Sequence, residues 1–230
     1  NLCWFIDLQG PFGWKNGKLT APPRSETVFE DPNLDDPPDP VIDEKATTFK
    51  VWLMTIVDDA TGRVWVRPIL SPADSHLIEA WNSILDSLGK NVGPSRLRMD
   101  NGFGSKFRRH VKRGAKRRLR KCEIRRGAAE NPQGQHRVER THKRILMLAQ
   151  SRAADMALFD GEADARKILT LNWCLSVEGV FLSAPVMAGL HSTPAQLWEC
   201  DDQTVPEERR LGATAALEEY AELREENARA

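Results

Sequence analysis

KVWLMTIVDDATGRVWVRPIL, residues 50 to 70, decides how this chain folds. Two β-rich runs, 50 to 57 and 63 to 70, flank Asp58-Asp59-Ala60-Thr61-Gly62, and the second alternates Val64 and Val66 against Arg63, Trp65 and Arg67. That pattern is a hairpin, with Asp58 and Asp59 as turn residues bonding nearby amides. Upstream, CWFIDLQ (3 to 9) is an apolar strand broken by Asp7 and closed by Gly10-Pro11. Together they make a three-strand antiparallel meander.

Downstream, Ser71 is placed to cap a helix, with Pro72 at its first position and Asp74 in its first turn. Leu77, Ile78, Trp81, Ile84, Leu85 and Leu88 recur as one buried face, and Gly89 ends it. SRLRMD (95 to 100) is a short strand delivering Asp100 to its end, and Leu119 to Ile124 is another after a basic helix or loop. Helical patterns cover Arg137 to Leu158 and Ala163 to Val180. The alternation predicts an α/β fold, a mixed five-stranded sheet with flanking helices. The organisation read here is a core over 1–155, a helical extension over 156–200 and a solvated acidic helical tail over 201–230. An irregular, acidic, Pro-rich insertion occupies about 12–46.

At 230 residues the chain buries one substantial core. It has no apolar run of about 18 residues that would span a membrane. Cys3, Cys122, Cys174 and Cys200 form no CxxC pair, against a zinc site or disulfide scaffold and for a reducing, intracellular setting. The opening at Asn1, without Met or leader, reads as a piece of a longer polypeptide. Basic and acidic residues balance at 33 each, yet they are segregated. KFRRHVKRGAKRRLRKCEIRR (106 to 126) holds twelve Lys or Arg against one acid, Glu123. Such clustering suits a polyanion.

Three acids stand where propensity would not put them. Asp7 lies inside an apolar strand, Asp100 ends the fourth strand of the hairpin-and-helix series, and Glu139 opens a long helix. An unpaired charge in a strand like the first costs several kcal/mol unless a cation compensates it. If strands one and four are neighbours, Asp7 and Asp100 project together and the helix brings Glu139 to them. Oxygen sites of this kind suit Mg²⁺ or Mn²⁺, and two such ions about 3.5–4 Å apart catalyse phosphodiester displacement. Lys106, Arg108, Arg109, Lys112, Arg113, Gln135, Arg137, Arg140, Lys143 and Arg144 are candidate nucleic-acid contacts. His136 and His142 lack ligand spacing and read as surface residues, while Trp52, Trp65 and Trp81 read as core.

FIDLQGP (5 to 11), residues 50 to 74, RLRMDNG (96 to 102) and NPQGQHRVERTHKRILMLAQSR (131 to 152) resemble, in that order, the integrase core of retroelements. The likeness is strongest to copia-type retrotransposon polyproteins, and APVMAGLHSTPAQLWE (184 to 199) resembles the element following that core. The resemblance implies a ribonuclease-H-like fold and a D,D,E triad at Asp7, Asp100 and Glu139 holding two Mg²⁺ or Mn²⁺ ions. It also implies trimming of element DNA ends, joining of the 3′ ends to double-stranded target DNA, and a homo-oligomer. The setting would be the nucleus for a eukaryotic element and the cytoplasm for a bacterial one. The chain departs from the family at Gln135-His136, where relatives carry Asn-Gly, and in the length of its acidic insertion. Alternatives are a cellular or bacterial DDE transposase, or a decayed, non-catalytic core that binds nucleic acid.

Overall fold

The computed structural model describes residues 3–15, 18–20, 50–88, 92–99, 102–117, 122–126, 136–160, 165–184, 192–199 and 206–229. The strands are β1 (Cys3–Lys15), β2 (Lys18–Thr20), β3 (Val51–Asp58), β4 (Val64–Ile69), β5 (Arg96–Met99) and β6 (Glu123–Arg126). The helices are α1 (Asp74–Ser87), α2 (Ser105–Arg117), α3 (His136–Asp160), α4 (Ala165–Ile168), α5 (Leu171–Ser183), α6 (Pro194–Trp198) and α7 (Glu207–Arg229).

The sheet order is β4-β3-β1-β5-β6, the five-strand mixed sheet expected, with β2 added to β1. β1 is the central strand, antiparallel to β3 and parallel to β5. It is covered on both faces, which is why its sequence reads as a nearly continuous apolar run. Because side chains alternate along a strand, Phe5 joins one cluster while Trp4 and Ile6 join the other. The first cluster packs β1, β3 and β4 against α3, α4 and α5 through Val138, Ile145, Ala149, Ala153, Ile168 and Val177. The second packs the opposite face against α1 and α2 through Leu77, Trp81, Ile84, Phe103, Phe107 and Val111. Trp4, Trp65 and Trp81 are buried there, with Trp4 centroids 4.8 Å from Trp65 and 6.1 Å from Trp81. Trp65 and Trp81 are core, as their periodicity implied, while Trp52 is partly buried against the same cluster.

Several boundaries differ from expectation. β1 runs on to Lys15 and returns as β2, so residues 12–15 and 18–20 are strand rather than irregular insertion. A register shift between Gln9 and Phe12 lets β1 bend there and keep pairing with β3. Gly10 sits in that bend at φ 140°, a conformation that a Cβ would oppose. Helix α1 begins at Asp74 with Ala73 as its cap. Ser71 Oγ lies 2.8 Å from His76 Nδ1 instead. β6 spans Glu123–Arg126, ending two residues beyond the expected Ile124. The expected single helix over 163–180 is two, because Thr170 takes an extended conformation and its Oγ1 accepts from Trp173 N, capping α5. The C-terminal acidic helix α7 is docked: Tyr220 and Leu197 of α6 form a third buried cluster with Ala216, Leu217 and Leu223 beside it. The rest of the 12–46 insertion, residues 16–17 and 21–46, lies outside the described residues, as do Gly89 and Leu119.

Two polar devices tie the layers. Arg67 of β4 and Glu178 of α5 form a buried ion pair, and Glu178 Oε1 also accepts from Val66 N at 2.7 Å. Burial pushes the Glu178 carboxyl up, opposed by the Val66 amide and by Arg67. At the β3–β4 turn Asp58 Oδ2 accepts from Thr61 N at 2.8 Å and Thr61 Oγ1 at 2.6 Å, the side-chain-to-backbone turn expected there.

Candidate metal and nucleic-acid site

Asp7 lies mid-way along the central strand and is only 6% exposed. Its parity puts it on the Phe5 face, under α3. Asp7 Oδ1 accepts from Leu8 N at 2.9 Å, and Thr55 of β3 stands opposite it in the ladder. Thr55 is fully buried, and among the described residues its Oγ1 has no hydrogen-bond partner. On the other side, β5 ends with Met99 paired to Ile6, the residue before Asp7. Asp100 itself lies outside the described residues.

Glu139 is half-buried in the first turn of α3. One turn further on, His142 Nδ1 approaches Asp7 Oδ2 at 3.8 Å. Residues three apart share a helix face, so the face that carries Glu139 is the one laid toward Asp7. The structure thus brings β1 and the opening of α3 together. Among the described residues, no three His, Cys, Asp or Glu side chains converge on one point to hold a metal.

His142 is a correction, for it is 8% exposed rather than a surface residue. A signal for this was present in the sequence. Val138, Ile145, Ala149 and Ala153 are all buried, and His142 falls four residues past Val138 and three before Ile145. Two other groups passed unnoticed: the Thr55 hydroxyl, hidden in an apolar strand, and Glu178, whose partner is 111 residues away in sequence. His136 begins α3, and its side chain lies outside those described.

The candidate cations divide between two layers. Lys106, Arg109, Lys112 and Arg113 are exposed on α2, and Arg108 is half-buried there. Arg140, Lys143 and Arg144 are exposed on α3, across the sheet from α2, with the Arg144 guanidinium 4.9 Å from the Phe181 ring centroid. Arg137 is half-buried, its guanidinium engaged by Asp59 and Tyr220. A phosphate at Arg137 would have to displace those partners. Gln135 lies outside the described residues.

No protein-family model matches the chain, and no curated protein matches it in sequence. Solved structures do match. A chain of the simian T-cell lymphotropic virus intasome, solved with the PP2A regulatory subunit B56 gamma, superposes with a TM-score of 0.55 at 17% identity, over 90% of this chain and 56% of that one. The chain thus spans little more than half the length of that relative. The HTLV-2 integrase catalytic core domain in complex with magnesium matches in its trimeric form with a TM-score of 0.47 at 15% identity, over 85% of this chain and 95% of that one. Its dimeric form matches with a TM-score of 0.46 at 16% identity, over 85% and 94%. The likeness to the intasome chain shows the fold alone, an α/β, ribonuclease-H-like mixed sheet with flanking helices. No helix among the described residues is long and apolar enough to cross a membrane.

Proposed function

We propose that the chain is the catalytic core of a DNA integrase, cleaving phosphodiesters at element DNA ends and joining the 3′ ends to target DNA. The observation that carries this reading is Asp7, a carboxylate buried in the central strand with the helix bearing Glu139 laid over it. Beside its contacts with Leu8 N and His142, that carboxylate offers oxygen donors to a cation shared with neighbouring acids. β5 ends at Met99, paired with Ile6, and Asp100 is the next residue in sequence. The hard oxygen donors of Asp7, Asp100 and Glu139, next to the buried Thr55 hydroxyl, fit Mg²⁺ or Mn²⁺.

Those three carboxylates would hold two ions, which when bound activate the attacking oxygen and stabilise the leaving one. The protein's own share is to fix Asp7 on a rigid strand and Glu139 on a packed helix, and to hold the duplex by its phosphates. The exposed cations of α2 and α3 serve that last purpose and add affinity without sequence choice. The attacking group is water in trimming and the exposed 3′-hydroxyl in joining. The copia-type assignment rests on the sequence phrases at 5–11, 50–74, 96–102 and 131–152. Homo-oligomerisation follows from the need to join two DNA ends in concert, and the setting is the nucleus for a eukaryotic element and the cytoplasm for a bacterial one.

The test incubates the full chain with a pre-cut element-end duplex, target DNA and Mg²⁺, beside Glu139→Gln and Asp7→Asn. Joined product from wild type and none from either variant, with duplex binding retained in all three, supports the reading. Product from Glu139→Gln removes the triad. Metal-independent binding with no product from any protein leaves a nucleic-acid-binding core.

A further inference from the structure

Arg137 is a cation in the first turn of α3, the helix end that favours anions. Its guanidinium is nonetheless held from more than one side. Nη1 donates to the main-chain oxygen of Asp59 and lies 3.3 Å from Asp59 Oδ1. Nη2 donates to the hydroxyl of Tyr220, 83 residues downstream, and Cζ stands 5.6 Å from the centroid of that ring. Tyr220 is 2% exposed, although most of α7 faces solvent. The acid at the β3–β4 turn offsets the unfavourable position of the cation, and the fork of the guanidinium spans two acceptors as an ammonium cannot.

We propose that α7 is a brace for the catalytic helix, and that Tyr220 and Arg137 are positioning residues for Glu139. The proposal rests on the reading of Glu139 as a metal-holding carboxylate. The first turn of a helix has amides without intrahelical partners and is the turn that frays. Glu139 lies in that turn, two residues after Arg137. A carboxylate that must meet a shared ion with Asp7 tolerates little wandering, so its turn has to be pinned from outside the helix. The pin comes from two directions, the end of β3 and the C-terminal helix. His142 fixes the next turn against Asp7.

The chain contains one tyrosine, so 3-fluorotyrosine labels position 220 alone. In the full chain, Arg137→Lys is expected to shift that single fluorine resonance. Amide exchange over residues 137–142 is expected to rise on the order of tenfold in both Arg137→Lys and Tyr220→Phe, with α5 unchanged. In strand joining with a pre-cut duplex, Tyr220→Phe is expected to lower kcat on the order of tenfold while the KM for duplex stays within about twofold. Wild-type exchange over 137–142 in both variants would overturn the brace. So would a rise spread evenly over all helices, which marks general loosening. Local exchange changes with an unaltered kcat in Tyr220→Phe would overturn the positioning role. Local exchange changes in a chain whose wild type joins no DNA would uphold the brace and remove the catalytic reading instead.

Discussion

Glu178→Ala is expected to be among the most damaging single changes outside the apolar core. The Arg67 and Glu178 side chains are only 5% and 12% exposed, so solvent screens their interaction little. Removing one partner of such a pair costs about 3–5 kcal/mol, because the other charge stays buried. Arg67 keeps a bond from Nη1 to Val66 O at 2.8 Å and one from Nε to Ser83 Oγ at 3.3 Å, which favours the lower end of that range. The Val66 amide, however, loses its acceptor, adding about 1–2 kcal/mol. The sum is about 4–5 kcal/mol, a large part of the roughly 5–15 kcal/mol a domain has. At about 2–4 °C per kcal/mol, Tm should fall by roughly 8–20 °C. The double variant Arg67→Met, Glu178→Leu removes both charges and leaves mainly the orphan amide, so it should cost only about 1–2 kcal/mol. Urea unfolding of wild type, Arg67→Met, Glu178→Leu and the double variant measures the coupling directly. A Glu178→Ala loss below about 1 kcal/mol, or single-variant losses that add up to the double, would refute the account.

Asp58 is fully buried, and burial raises its carboxyl above the ordinary value of 3.8, with the Thr61 bonds opposing. A folded value above the unfolded one means stability present below the unfolded pKa and lost as pH rises through the folded value. The stability of wild type minus that of Asp58→Asn should therefore fall as pH is raised from just below 4 through the raised value, read by urea midpoints at each pH. Gly10→Ala should destabilise by about 1–3 kcal/mol in the same assay, since its φ is 140° and a Cβ would come within 3.0 Å of Val51 O. Ile145→Ala, which empties a fully buried site between α3 and the sheet, should cost about 2–5 kcal/mol with an unchanged m-value. Lys112→Ala should weaken duplex binding evenly across sequences and reduce the slope of log K against log salt by about 0.9.

The sheet was legible because its signals are local. β3 and β4 announce themselves by composition and by the turn between them, and β1 by an apolar run that only a strand covered on both faces sustains. Boundaries were less legible wherever a tertiary contact decided them. Ser71 has the chemistry of a cap, but its hydroxyl meets His76 and the helix starts at Asp74. Thr170 splits one apolar pattern into two helices, a break that periodicity alone does not register. In the site, Asp7 was conspicuous because a charge in an apolar strand contradicts the pattern around it. His142 was concealed for the opposite reason: it continues the buried stripe of α3, where a polar residue is easily taken for an interruption. Glu178, Tyr220 and Arg137 meet partners dozens of residues away, and no local pattern encodes such pairs.

On the proposed reading, the distribution of charge constrains how a duplex would lie on this fold. The exposed cations of α2 and those of α3 belong to helices packed on opposite faces of one sheet. Each helix is about 10–12 Å across with its side chains, so the two stripes are separated by both helices and the sheet between them. A straight duplex resting on one outer stripe does not reach the other. Asp7 faces the α3 layer, and its parallel neighbour β5 ends at Met99, only six residues before α2 begins on the far side at Ser105. The end of the sheet where β5 finishes lies between the two layers, next to Asp7 in the ladder. Nucleic acid held there would present its backbone to the carboxylates from the α3 side, while the α2 cations remain for a second segment or for a bend in the first. The neutral net charge of the chain conceals this arrangement, because what a polyanion would meet is the local surface and not the total.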